Sequence, residues 1–177
     1  MPTPSRSWRL RAIGLCLLGA CAAPAGAAPS DIGTCGDADF QARMLQRVNA
    51  FRAAAHGCGS RGRFAAAPAL GWDDRLARAA LAHTQEMAQA DRLAHESRDG
   101  RSLADRANEA GYAWRALGEN IASGQPGIDR VVDSWARSDG HCANMMSPRF
   151  KEVAVACVVQ PASGRRYWTM DLGTPRR

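Results

Sequence analysis

The sequence predicts an α+β domain in which helices come first and a β-hairpin closes the chain. Apolar residues recur at helical spacing in the first part, at Phe40, Met44, Leu45, Val48 and Phe51, and again at Leu76, Ala80, His83 and Met87. The period then changes. Val153, Val155, Cys157 and Val159 alternate with Ala154, Ala156 and Val158, the pattern of a strand buried on both faces. Ser163-Gly164 supplies a turn, and residues 167–172 read as the return strand.

The elements follow in order. Residues 39–53 form an amphipathic helix. Residues 54–71, rich in Ala, Gly and Arg, read as loop. Asp73 or Asp74 caps a second helix that runs to about residue 91. Ser102-x-x-Asp105 is a capping-box start for a third helix, and Gly111 stops it. Gly118–Ala122 reads as a short strand. Pro126 suits the first turn of a fourth helix that carries Val131, Val132 and Trp135. There is no internal repeat and no long linker.

Ahead of this domain lies an export signal. Arg6, Arg9 and Arg11 form a positive start, Ala12–Ala23 an apolar run, and small residues flank a cut after Ala27 or Ala28. The run is shorter than the roughly 20 residues a bilayer span needs, so no transmembrane span is expected. Leu18-Gly19-Ala20-Cys21 loosely resembles a lipobox, and lipidation of Cys21 is the alternative processing. Removing residues 1–28 from a chain of 177 leaves 149, one domain with room for a real core. The segment holds three Arg and no acid, so its loss takes the net charge from +6 to +3. Basic residues do not cluster with aromatics, which argues against nucleic-acid binding.

Two of the six cysteines belong to the signal. Cys35, Cys58, Cys142 and Cys157 remain, and an even count in an exported chain reads as two disulfides. Three pairings are possible. Reach along the chain favours Cys35–Cys58 and Cys142–Cys157: the coil flanking the first helix extends about 30 Å at ~3.3 Å per residue, enough to span a helix of about 22 Å. A structural zinc site has no C-x-x-C spacing to support it.

Four ordered segments carry a family resemblance. They are Leu93-Ala94-His95-Glu96-Ser97 with Asp99-Gly100 and Arg106; Gly111-Tyr112 with Gly118-Glu119-Asn120-Ile121-Ala122; Trp135 through His141, continuing to Asn144, Met145 and Met146; and Phe150-Lys151-Glu152-Val153 with Tyr167-Trp168-Thr169. In order and spacing the chain resembles the bacterial branch of the CAP superfamily, the cysteine-rich secretory, antigen 5 and pathogenesis-related-1 group. The resemblance implies a three-layer α-β-α sandwich over residues 29–177. It also implies an open cleft lined by two His and two acids, which in many members holds a divalent metal. Carried over, those residues are His95, His141 and Glu119. The second acid falls at Ser138, so one negative charge is missing. A His-His pair with fewer carboxylates suits zinc, copper or nickel better than a hard cation, and zinc is the expected ion.

Ser138 and Asn144 are further cleft candidates by position. A Ser138–His141 nucleophile is disfavoured because no G-x-S-x-G elbow is present. Cys142, beside His141, reads as a tether for that segment. His83 reads as a core histidine and His56 as an exposed one. The leading expectation is a secreted or periplasmic monomeric binding module that takes a metal and a small polar or lipid ligand or a protein partner. The alternatives are a metal-assisted envelope hydrolase with Glu119 as base, and a non-catalytic partner-binding scaffold.

Overall fold

The computed structural model describes residues 33–176, together with Met1. The signal segment expected over residues 1–28, Cys21 included, otherwise lies outside the described residues.

Helix α1, Phe40–Arg52, turns the apolar stripe of Phe40, Met44 and Val48 inward. Helix α2, Asp74–Ala90, starts where the Asp73 side chain accepts from the backbone N–H groups of Arg75 and Leu76. Such a cap satisfies donors that have no partner inside the helix. Helix α3, Leu103–Glu109, opens on a full capping box between Ser102 and Asp105. It stops at Gly111, whose φ of +78° lies in the left-handed region that glycine enters without strain.

The segment expected as loop is partly ordered. Strands β1, His56–Gly57, and β2, Arg63–Phe64, form a small antiparallel ribbon, and β3, Gly71–Trp72, joins the main sheet. These strands are two residues long, too short for any hydrophobic period to reveal them. His56, expected exposed, is half-buried: it stacks on Phe51 with ring centroids 3.9 Å apart. Strand β4, Trp114–Ser123, is twice the length the Gly118–Ala122 pattern suggested, because its first half is only partly buried. Helix α4, Ile128–Ala136, begins after a Gly127 cap, so Pro126 lies just outside its first turn. Helix α5, Asp139–Met146, is separate from it.

Strands β5, Glu152–Val159, and β6, Arg166–Pro175, form the C-terminal hairpin. The sheet order is β3-β5-β6-β4, with β3 parallel to β5 and the other pairs antiparallel. One face packs Trp168, Met170 and Leu172 of β6 and Val153 and Val155 of β5 against α1, α4 and Met145 of α5. The other face packs Ala154, Ile121 and Tyr167 against α2 and α3. The three layers are α-β-α, and β5 and β6 are buried on both sides as the apolar run required. Gly173 of β6 lies against the Tyr112 ring, from the connection between α3 and β4, so closely that an added Cβ would overlap the Tyr112 hydroxyl.

The cysteines pair differently from the expectation. The bridges are Cys35–Cys157 and Cys58–Cys142, with Cα atoms 5.3 and 5.4 Å apart. The reason is tertiary. The segment before α1 lies along β5, where Cys157 N–H donates to Gly33 O at 2.8 Å, so Cys35 arrives beside Cys157. The ribbon after α1 folds under α5, which brings Cys58 to Cys142. Partners 122 and 84 residues apart are invisible to an argument about chain reach.

Candidate functional site

Three elements converge on one end of the sheet. Strand alternation sends Glu119 of β4 toward the α2 layer and Asn120 toward α5. The loop after α2 brings His95 over Glu119. Helix α5 brings His141 from the opposite layer.

Asn120 and Asn144 set the position of α5. Asn120 Nδ2 donates to His141 O at 3.1 Å. Asn144 Nδ2 donates to Glu119 O at 3.1 Å and to Asn120 Oδ1 at 2.9 Å. Asn144, a cleft candidate from the sequence, therefore ties α5 to β4. Ser138 sits half-buried at the cap position just before α5. Its side chain makes no cap hydrogen bond, while its carbonyl accepts from Cys142 N–H at 2.8 Å. The helix is held from below by the Cys58–Cys142 bridge and by Asp139, which accepts from Ser60 N–H at 2.8 Å and Ser60 Oγ at 2.6 Å.

His95 Nδ1 lies 2.7 Å from Glu119 Oε1. The other carboxylate oxygen, Oε2, accepts from Arg106 Nη2 at 2.6 Å. A carboxylate paired with a guanidinium is an acceptor, so Nδ1 is the donor and Nε2 keeps its lone pair. The His95 ring is 58% exposed and the Glu119 side chain only 4%. His95 thus presents a basic nitrogen outward and is anchored inward. The hydrogen bond to Glu119 raises its pKa above the ordinary imidazole value, against the opposing effect of partial burial. His141 is half-buried, and its pKa is lowered, first by burial and then by the positive charge of a protonated His95.

His83 behaves as a core histidine. It is 1% exposed, and its Nε2 lies 2.9 Å from Ala94 O. It also stands 3.9 Å from Glu119 Oε2, so it forms the inner wall behind the site. Burial lowers its pKa.

Two residues had no sequence-derived role. Arg106 lies in the matched segments, but nothing in its spacing on a short helix says that it turns inward. Asp171 carries a clearer signal: it is the one acid in the apolar return strand. It is fully buried, it pairs with Glu119 across β6 and β4, and neither of its oxygens has a hydrogen-bond partner. Burial, then the charge of Glu119, pushes its pKa well above the carboxylate range, with Arg106 opposing. A folded-state pKa above the unfolded one means that the folded chain holds the extra proton. Stability then falls as pH rises above the ordinary Asp value of about 3.9. Asp171→Asn, an amide in place of a neutral carboxyl, is expected to flatten that fall. Melting temperatures of the two proteins from pH 5 to 8 should diverge in favour of the variant, and parallel curves would refute the assignment.

Among the described residues, no group of three or more His, Cys, Asp or Glu side chains is arranged to hold a metal ion. The available donor set is two imidazoles, with both oxygens of Glu119 already engaged. Two neutral nitrogen ligands with open remaining positions fit a borderline divalent ion and suit a hard one poorly.

Comparison with known proteins agrees with this architecture. Residues 45–172 match the family described as CAP, cysteine-rich secretory protein family. The chain is 34% identical over 86 residues to the uncharacterized protein YkwD of Bacillus subtilis (strain 168), covering 49% of this chain and 34% of YkwD. It thus spans about a third of that relative. Among solved structures, an extracellular protein containing a SCP domain from Bacillus anthracis str. Ames superposes with a TM-score of 0.59 at 19% identity, over 76% of this chain and 41% of that one. NaASP2 with Zn2+ superposes with a TM-score of 0.54 at 15% identity, over 83% of this chain and 84% of that one. At these identities the structures speak to the fold.

Proposed function

The chain belongs to the cysteine-rich secretory protein (CAP) family, and from that premise we propose that it is an exported binding domain whose cleft takes a divalent metal, zinc first, through His95 and His141. The observation that carries this reading is the His95–Glu119 hydrogen bond of 2.7 Å. A carboxylate on the far nitrogen of an imidazole fixes the tautomer, aims the other nitrogen and raises its basicity, the usual arrangement behind a ligating histidine. Glu119 thereby acts as the orienting acid. His141, kept neutral by burial, is the second nitrogen donor. When bound, the ion would supply a positive centre for a polar ligand. NaASP2, which shares this fold and whose crystal structure is with Zn2+, lends support.

Export is supported by the charged and apolar start of the chain, by four paired cysteines and by the likeness to an extracellular protein. No helix among the described residues is long and apolar enough to cross a membrane. A hydrolase with Glu119 as base has less support. The Glu119 side chain is 4% exposed, with His95 and Arg106 across its two oxygens, so a substrate proton has little access to it, and a base must reach the proton it takes.

Calorimetric titration of zinc, copper and nickel tests the reading. The mature protein is expected to bind one ion, and the His95→Ala/His141→Ala variant none. Affinity should weaken as pH falls, because a protonated imidazole cannot ligate. The raised pKa of His95 starts that competition above the ordinary His value of about 6.5, while His141, with its pKa lowered, stays neutral to more acidic pH. A parent that binds nothing at micromolar zinc, or a double variant that binds equally well, sinks the metal reading and leaves the partner-binding scaffold.

A further inference from the structure

We propose that Arg106 is the positioning residue of the cleft, and that its guanidinium sets both the tautomer and the place of His95. Its side chain is 1% exposed and reaches both members of the His95–Glu119 pair. Nη2 donates to Glu119 Oε2 at 2.6 Å and to His95 O at 3.2 Å. Nη1 donates to His95 O, Ser97 Oγ and Arg101 O, each at 3.2 Å. One planar group therefore grips the carboxylate that holds the His95 ring and the backbone that carries it.

The geometry explains why the residue is arginine. Four acceptors lie around it, on the β4 strand and on the loop over residues 95–101. A rigid fork of N–H donors meets them together, whereas a lysine ammonium offers three donors at a single point. The grip also fixes the rotation of the Glu119 carboxylate. With Oε2 held by Arg106, Oε1 is left for Nδ1–H, and Nε2 is turned toward the cleft as the basic nitrogen. Without Arg106 the Glu119 carboxylate is free to rotate, and the loop loses every contact this guanidinium supplies. Capping-box formation at Ser102 and Asp105 fixes the start of α3, so Arg106 arrives at a set depth. The role of His95 as a ligand rests on the reading above. Its positioning by Arg106 does not.

The test reads the imidazole itself, in metal-free protein. Ring 15N NMR above the imidazole titration range is expected to report the Nδ1–H tautomer for His95 in the wild type. In Arg106→Lys that preference should weaken, and in Arg106→Gln it should be lost, with amide exchange in residues 94–101 accelerated and the sheet unchanged. Zinc affinity in the same variants should fall about 10–100-fold, the usual cost of removing support behind a ligand. A wild-type His95 found as the Nε2–H tautomer overturns the proposal, and so does a folded Arg106→Gln protein with the Nδ1–H tautomer intact. If Arg106→Gln does not fold, the wild-type spectrum and Arg106→Lys decide. Altered tautomers without any zinc binding would leave the positioning role standing and remove the metal reading alone.

Discussion

Replacing Cys35 and Cys157 together by Ser is expected to cost about 3–5 kcal/mol of stability, the range for a bridge that closes a long loop. These cysteines are 122 residues apart in sequence. The bridge, with the Thr34–Cys157 pairing beside it, secures the segment ahead of α1 to the centre of the sheet. None of this touches the cleft, so zinc affinity should persist in the folded fraction. Replacing Cys58 and Cys142 should behave differently. That bridge closes 84 residues and anchors α5 next to His141. Stability and zinc affinity should fall together. Urea titration and calorimetry on the two double variants separate these outcomes. Equal effects on zinc would show that the α5 tether has no bearing on the site.

Arg52→Ala is expected to cost about 3–4 kcal/mol, since buried acceptors left without a donor cost about 1–3 kcal/mol each and such losses do not add fully. Arg52 is 0% exposed, and among the described residues it takes part in no ion pair. Its Nε donates to Pro68 O at 2.9 Å, and its Nη1 donates to Met145 O and, at 3.1 Å, to Ser147 O. Met145 lies in the last turn of α5, where carbonyls have no partner within the helix and a cation is favoured. Arg52 thus joins the end of α1, the segment before β3 and the C-terminal end of α5. Burial disfavours its charge and lowers its pKa. Removing it relieves that desolvation but strands three carbonyls and opens a cavity. Urea denaturation should show the loss, with zinc affinity reduced because α5 carries His141. A cost below about 0.5 kcal/mol, the level of an ordinary surface change, would mean that water replaces the guanidinium.

Much of this domain was legible in the chain itself. The apolar spacing of α1 and α2, the Asp73 cap, the Ser102–Asp105 capping box, the Gly111 stop and the doubly buried hairpin are local. Each follows from neighbours within about four residues, the range over which backbone hydrogen bonds and side-chain periods act. The four ordered segments added the family and pointed to His95, Glu119 and His141. Local patterning accounts for α1 to α4, the closing hairpin and the residue types at the site, while the two-residue strands β1 to β3 and the separate helix α5 escaped it. Tertiary structure decided which cysteines meet, that Arg52 caps a helix 93 residues away, that Asp171 is buried behind Glu119, and that Arg106 holds His95. These are contacts between groups far apart in the chain. Their energies depend on burial and on distances of a few ångströms, and neither exists until the layers have packed.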